Sequence, residues 1–276
     1  MDLKSLQALA PWEWPDDTAA LLQRSLADKA ANADDRLLAV RLAGMSAMTD
    51  ALADALLAVI SDAEAAEGLR AEAAIALSPV LEEADTDDPD DVSISERTFI
   101  AIDDTLRAVH EDRNAPQEVR RRALEAAVRA PQAWQTAAIR AALGQNDEAW
   151  QLTAVFCMRF VRGFDAEIIT ALASKHPQIR CEAVLAAGAW ELQAAFDSVA
   201  ALIRSKKTDK LLLLAAIEAA PSIRPDEAGT LLAELLQSTD PDIVLAAEEA
   251  LAMAEAMRTL ADDATEFEDV EDDALE

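Results

Sequence analysis

Seven segments of this chain align so that one alanine occupies the same column each time. They are DDRLLAVRLAG (34–44), EGLRAEAAIAL (67–77), QEVRRRALEAA (117–127), EAWQLTAVFCM (148–158), PQIRCEAVLAA (177–187), DKLLLLAAIEA (209–219) and PDIVLAAEEAL (241–251). The column reads Ala39, Ala73, Ala123, Ala154, Ala183, Ala215 and Ala247. Four residues earlier stands Leu69, Val119, Trp150, Ile179, Leu211 or Ile243, with Asp35 the exception in the first segment. A spacing of i, i+4 puts both residues on one helix face. The alanines are 34, 50, 31, 29, 32 and 32 residues apart, and each interval has room for a further amphipathic helix, as in AEIITALA (166–173) and GTLLAELL (229–236). Each unit is therefore read as a helical hairpin. A recurring small residue is what close packing of paired helices demands. A lone hairpin cannot bury its apolar face, so the units must stack.

This pattern resembles the HEAT-repeat family of α-solenoids, from about Asp16 to about Met257. The resemblance implies an all-α fold, a right-handed α-solenoid of about seven HEAT-like hairpins. Three units also carry an Asp and an Arg eight residues apart, which the resemblance reads as the family's structural pair: Asp28 with Arg36, Asp62 with Arg70 and Asp112 with Arg120. Arg180 keeps the arginine alone, and Gln151, Leu212 and Val244 replace it in repeats four, six and seven.

The turns between units repeat as well. APWEWPDD (10–17) and APSIRPDE (220–227) share one pattern, with shorter versions in APQAW (130–134) and AGAW (187–190). Each reads as a stop by Pro or Gly followed by a new helix start. Residues 1–15 are then a cap helix and turn, with Trp12 and Trp14 either covering the first layer or forming an aromatic contact site. Residues 1–260 are read as one repeat array, interrupted by an acidic insertion, EEADTDDPDDVSIS (82–95), and followed by an acidic tail, ADDATEFEDVEDDALE (261–276). The insertion matches a calcium loop poorly: Asp85, Asp87 and Glu96 fit, but Pro89 and Asp90 occupy positions 5 and 6. Ser95 begins the next helix. The tail is read as disordered, with Phe267, Val270 and Leu275 as a short candidate motif.

With 24 basic and 53 acidic residues the net charge is −29, which works against nucleic acid or an anionic membrane as partner and favours basic ones. Arg107 to Arg180 is the exception, with 11 bases against 8 acids, a candidate docking belt or a set of internal pairs. No secretion signal or membrane span is legible, and two cysteines are too few for a disulfide framework, so a monomeric cytosolic protein is expected.

Chemistry is sparse. His110 and His176 fall in different repeats, only His110-Glu111 resembles the His-Glu pairs of HEAT-repeat hydroxylases, and no phosphate loop, dinucleotide turn or zinc spacing occurs, so no catalytic residue, metal or cofactor is assigned. What remains is a face of the second helices. Two and six residues after the large apolar position stand Leu152 and Phe156, Cys181 and Leu185, Leu213 and Ile217. A helix apolar all round is either enclosed or lines a groove. The groove reading takes Leu152, Phe156, Leu185, Leu213 and Ile217 as its floor and Arg121, Arg159 and Arg162 as its rim, in a non-catalytic adaptor gripping an amphipathic partner helix. The alternative, from the resemblance alone, is a lyase or chaperone subunit for a cofactor-bearing protein, as among HEAT-type bilin lyases.

Overall fold

Every aligned segment is a helix, and every column alanine is buried: Ala215 is 5% exposed and the other six are 0%. The computed structural model describes residues 2–84 and 93–272, with side chains as far as residue 260. Two compact units divide the chain, Met1–Ala141 and Ala142–Glu276. The first holds the short α1 (Leu3–Gln7), the hairpins α2 (Thr18–Ala27) with α3 (Ala33–Ala43) and α4 (Asp50–Ser61) with α5 (Glu67–Ile75), then α6 (Ser78–Ala84), and α7 (Glu96–Glu111) with α8 (Gln117–Ala127). The boundary falls within α9 (Ala133–Leu143). The second unit holds α10 (Glu148–Cys157), then α11 (Asp165–Ala171) with α12 (Pro177–Ala189), α13 (Phe196–Arg204) with α14 (Lys210–Ile223), and α15 (Pro225–Ala233) with α16 (Pro241–Asp272).

Within each unit the second helices of successive hairpins pack on one another: α3 on α5 on α8, and α10 on α12 on α14 on α16. Small residues set how close they come. A Cβ on Gly188 of α12 would stand 2.9 Å from the Ala219 Cβ of α14 and 3.0 Å from its Cα, and one on Gly44 would stand 3.0 Å from the Ala76 Cα. The helix does end within AGAW, at Ala189, but Gly188 lies in its last turn rather than beyond it, where the neighbouring backbone needs the space. Pro221 does not stop its helix. It sits in the last turn of α14, whose chain runs on to Ile223 before the Arg224 N–H returns to the Ala220 carbonyl.

The Asp and Arg spaced eight apart work through the backbone. Asp28, Asp62 and Asp112 are the C-caps of α2, α4 and α7, and each carboxylate accepts from the N–H two residues on, at 2.9, 3.2 and 2.9 Å. The arginines donate to carbonyls ten residues back: Arg36 to Leu26 at 3.4 Å, Arg70 to Ile60 at 2.8 Å and Arg120 to His110 at 2.9 Å. Each thereby satisfies a carbonyl that the end of a helix leaves without an intrahelical donor. Asp62 also receives Lys29 of the preceding hairpin at 2.6 Å. That hydrogen bond, and the one from the Glu64 N–H, hold its carboxyl below the usual range.

His110 returns the bond from Arg120, its Nδ1 lying 3.1 Å from the Arg120 carbonyl, and its ring packs against Trp134 with centroids 5.8 Å apart. Burial pushes its pKa down, so the folded protein favours the neutral ring. The unfolded chain binds the proton more readily, and this contribution to stability is lost as pH falls below about 6.5. The melting-temperature advantage of wild type over His110→Gln is expected to shrink between pH 8 and pH 5. An advantage that grew toward pH 5 would contradict it.

At the amino-terminal end the two tryptophans part company. Trp14 packs on the core and donates from Nε1 to the Leu6 carbonyl at 3.0 Å, whereas Trp12 is 87% exposed and covers nothing. Ser95 caps α7 as expected, accepting from the Thr98 N–H. Asp85, Asp87, Pro89 and Asp90 of the calcium template lie outside the described residues, as does Leu275. The α16 backbone remains helical to Asp272, past residue 261 where the sequence reading begins a disordered tail. Alanine and glutamate favour helix, and neither Gly nor Pro occurs after Pro241.

Candidate partner-binding face

The face turned away from the first helices can be followed along the packed second helices of the second unit. Leu152 and Phe156 on α10, Cys181 and Leu185 on α12, and Leu213 on α14 are all half-buried. Ile217 departs from the groove reading. It is 0% exposed, because α14 is surrounded by α12, α13, α15 and α16, and its side chain belongs to the core. α14 also departs from the pattern at its start, where Leu211 is 76% exposed and Leu212, at 1%, takes the inward position.

Counting the same two places on from Ile243 of α16 reaches Leu245, which is 56% exposed, and Met253 on the same helix is 44% exposed. The sequence reading stopped one helix short of both, although its own count leads to Leu245. Between α12, α14 and α16 lies a shallow pocket of ≈ 200 Å³, bounded by Arg159, Leu185, Gly188, Glu218, Ser222 and Met253. A larger one of ≈ 420 Å³ lies elsewhere in this unit, with the buried Val155 and Ile179 among its walls and Gln151, Thr170 and Ser174 as polar members. Nothing in the sequence pattern pointed to it.

The proposed rim arginines have three different surroundings. Arg121 lies in the first unit and is only 7% exposed, 2.6 Å from Glu118 and 3.7 Å from Glu125. A cation neutralised in this way is not a rim charge. Arg122 joins the same two glutamates, and Arg129 meets Glu82 at 2.7 Å, so that part of the basic belt consists of internal pairs. In the second unit, Arg159 lies 5.8 Å from the Phe160 ring centroid and Arg162 4.4 Å from that of Trp190. Trp190 is itself fixed by a 2.7 Å bond from Nε1 to the Met158 carbonyl. These guanidiniums rest on aromatic faces.

Burial raises the pKa of the Cys181 thiol, and Glu182, Asp209 and Glu218 raise it further. Cys157 is 0% exposed, which leaves Cys181 as the thiol within reach of solvent. Among the described residues, no three His, Cys, Asp or Glu side chains are grouped so as to hold a metal ion, and no helix is long and apolar enough to cross a membrane.

Hairpins in sequence, second helices in register and a buried alanine in each define the architecture. The fold is an all-α array of stacked helical hairpins. No family model matches the sequence, and no curated protein matches it. Among solved structures, the chain is similar to YibA of Escherichia coli at 15% identity and a TM-score of 0.49, over 88% of this chain and 84% of that one. It is similar to an archaeal HEAT-like repeats protein from Thermococcus onnurineus at 13% identity and a TM-score of 0.41, over 88% and 99%. Human deoxyhypusine hydroxylase matches at 15% identity and a TM-score of 0.36, over 86% and 96%.

Proposed function

We propose that the protein is a non-catalytic cytosolic adaptor that holds a protein partner on the apolar face of α10, α12, α14 and α16. The observation that carries this reading is the outer end of that face. Leu245 is 56% exposed and occupies on α16 the place that Leu213 occupies on α14, so apolar surface continues from α14 to α16, where the described residues leave it open. Apolar side chains aligned across packed helices form a contiguous patch, and such patches mark interaction surfaces. Arg159 and Glu218 line the pocket beside Leu185 and Met253 and supply the polar edge an interface requires.

Affinity capture from native cell extract, comparing wild type with the Leu245→Ser/Met253→Ser double variant, whose two sites are 56% and 44% exposed, tests the reading. Both baits are expected to melt alike, and the variant is expected to lose about nine-tenths or more of the captured partner, since apolar anchors carry most binding energy. Equal recovery by the two baits would rule out this face.

A further inference from the structure

We infer that the ≈ 420 Å³ pocket walled by α10, α11 and α12 is a binding site for a small hydrophobic amine, an apolar body ending in a protonated nitrogen that Glu167 holds. The site goes beyond the adaptor reading. It shares no lining residue with the apolar face of Leu152, Phe156, Leu185, Leu213 and Leu245.

Helix periodicity explains the opening. Ala166, Glu167, Thr170 and Ala171 fall at i, i+1, i+4 and i+5 of α11 and so share one side of that helix, while Ile168, 0% exposed, turns into the core. Gln151 and Val155 of α10 are likewise i and i+4. Leu143 and Ile179 complete the apolar wall with the two alanines, whose short side chains leave the space between the helices unfilled. A volume of ≈ 420 Å³ lies in the range of ligand sites and has room for about a dozen non-hydrogen atoms at ~30 Å³ each.

The polar groups on this wall choose the chemistry of the ligand. Glu167 is half-buried, and among the described residues its carboxylate has neither an ion pair nor a hydrogen bond. Gln151 turns its amide nitrogen to the Gln145 carbonyl, at 3.0 Å, so Oε1 remains as an acceptor. Thr170 donates its hydroxyl proton to the Ala166 carbonyl at 2.8 Å and can only accept from a ligand, and Ser174 Oγ receives the His176 N–H at 3.2 Å. None of the lining residues is Lys, Arg or His. Of the bases nearest along the chain, Lys175 is exposed, His176 lies 2.8 Å from Glu148, and Arg180 stands outside the wall. A half-buried carboxylate without a cation is costly beside apolar side chains, and a ligand ammonium relieves that cost through a charge-assisted hydrogen bond. An acidic ligand would set carboxylate against carboxylate, and a neutral one would leave Glu167 unpaired.

Methyl NMR of the full chain, following Val155 and Ile179, tests the inference with three probes that share one body: phenylbutylamine, phenylbutanol and phenylbutyrate. The amine is expected to shift both methyl signals saturably, with a Kd below about 1 mM. The alcohol is expected to bind at least about tenfold more weakly, the value of one charge-assisted hydrogen bond, and the carboxylate not to bind. Glu167→Gln is expected to weaken the amine about tenfold and to leave the alcohol unchanged, a split that a merely disturbed pocket would not give. Binding of the alcohol or the carboxylate as tight as that of the amine, or an amine affinity untouched by Glu167→Gln, would overturn the assignment of an amine to Glu167. No saturable shift with any of the three would overturn the site itself.

Discussion

Replacing Gly188 by valine is expected to destabilise the protein by about 2–3 kcal/mol, the cost of forcing side-chain volume into a packed contact. Even a methyl at this position would lie 2.9 Å from the Ala219 Cβ, with the Ala219 Cα at 3.0 Å, so the obstacle includes backbone and cannot rotate away. The second helices α12 and α14 would have to separate, opening the layer that buries Ala183 and Ala216. Gly229 in α15 provides the control, since a Cβ there meets nothing within 4 Å. Gly229→Ala is expected to stabilise by about 0.5–1 kcal/mol through helix propensity alone. Urea midpoints of the two variants check both signs, and a Gly188→Val protein as stable as wild type would contradict the close approach.

Ile217→Ser and Leu245→Ser are expected to differ sharply although both positions read alike as outward-facing residues of second helices. Ile217 is 0% exposed, and exchanging it for a hydroxyl removes core volume and buries a polar group, at about 3–4 kcal/mol. Leu245 is 56% exposed, and its replacement is expected to shift stability by no more than about 0.5 kcal/mol. Thermal melts distinguish them directly. Equal losses would mean that the face is closed over at both helices and offers no groove.

The hairpins were legible because the alanine column is a packing requirement that every unit meets in the same way. The face was legible only in part. Its phase is read from periodicity, which selects Leu152, Phe156, Leu185 and Leu213, all half-buried, but periodicity along one helix does not say how many helices surround it. Ile217 is in the core because α12, α13, α15 and α16 all pack on α14, a fact of tertiary arrangement. The Arg residues illustrate a similar limit. A spacing of eight brings Arg70 near the turn at Asp62, yet the atom that Arg70 reaches is the Ile60 carbonyl, because a helix end leaves carbonyls to be satisfied. Reading Arg121 as a rim charge follows from a local count of bases, which ignores that Glu118 and Glu125 lie three and four residues away on the same helix.

The most direct test of the docking face is a photo-crosslinking amino acid placed at Leu245, and separately at Thr230, an exposed residue of α15 in the same unit, followed by irradiation of living cells. A discrete crosslinked partner from position 245 and none from position 230 is the predicted result. The same product from both positions, or a product from 230 alone, would contradict a partner held on the second helices.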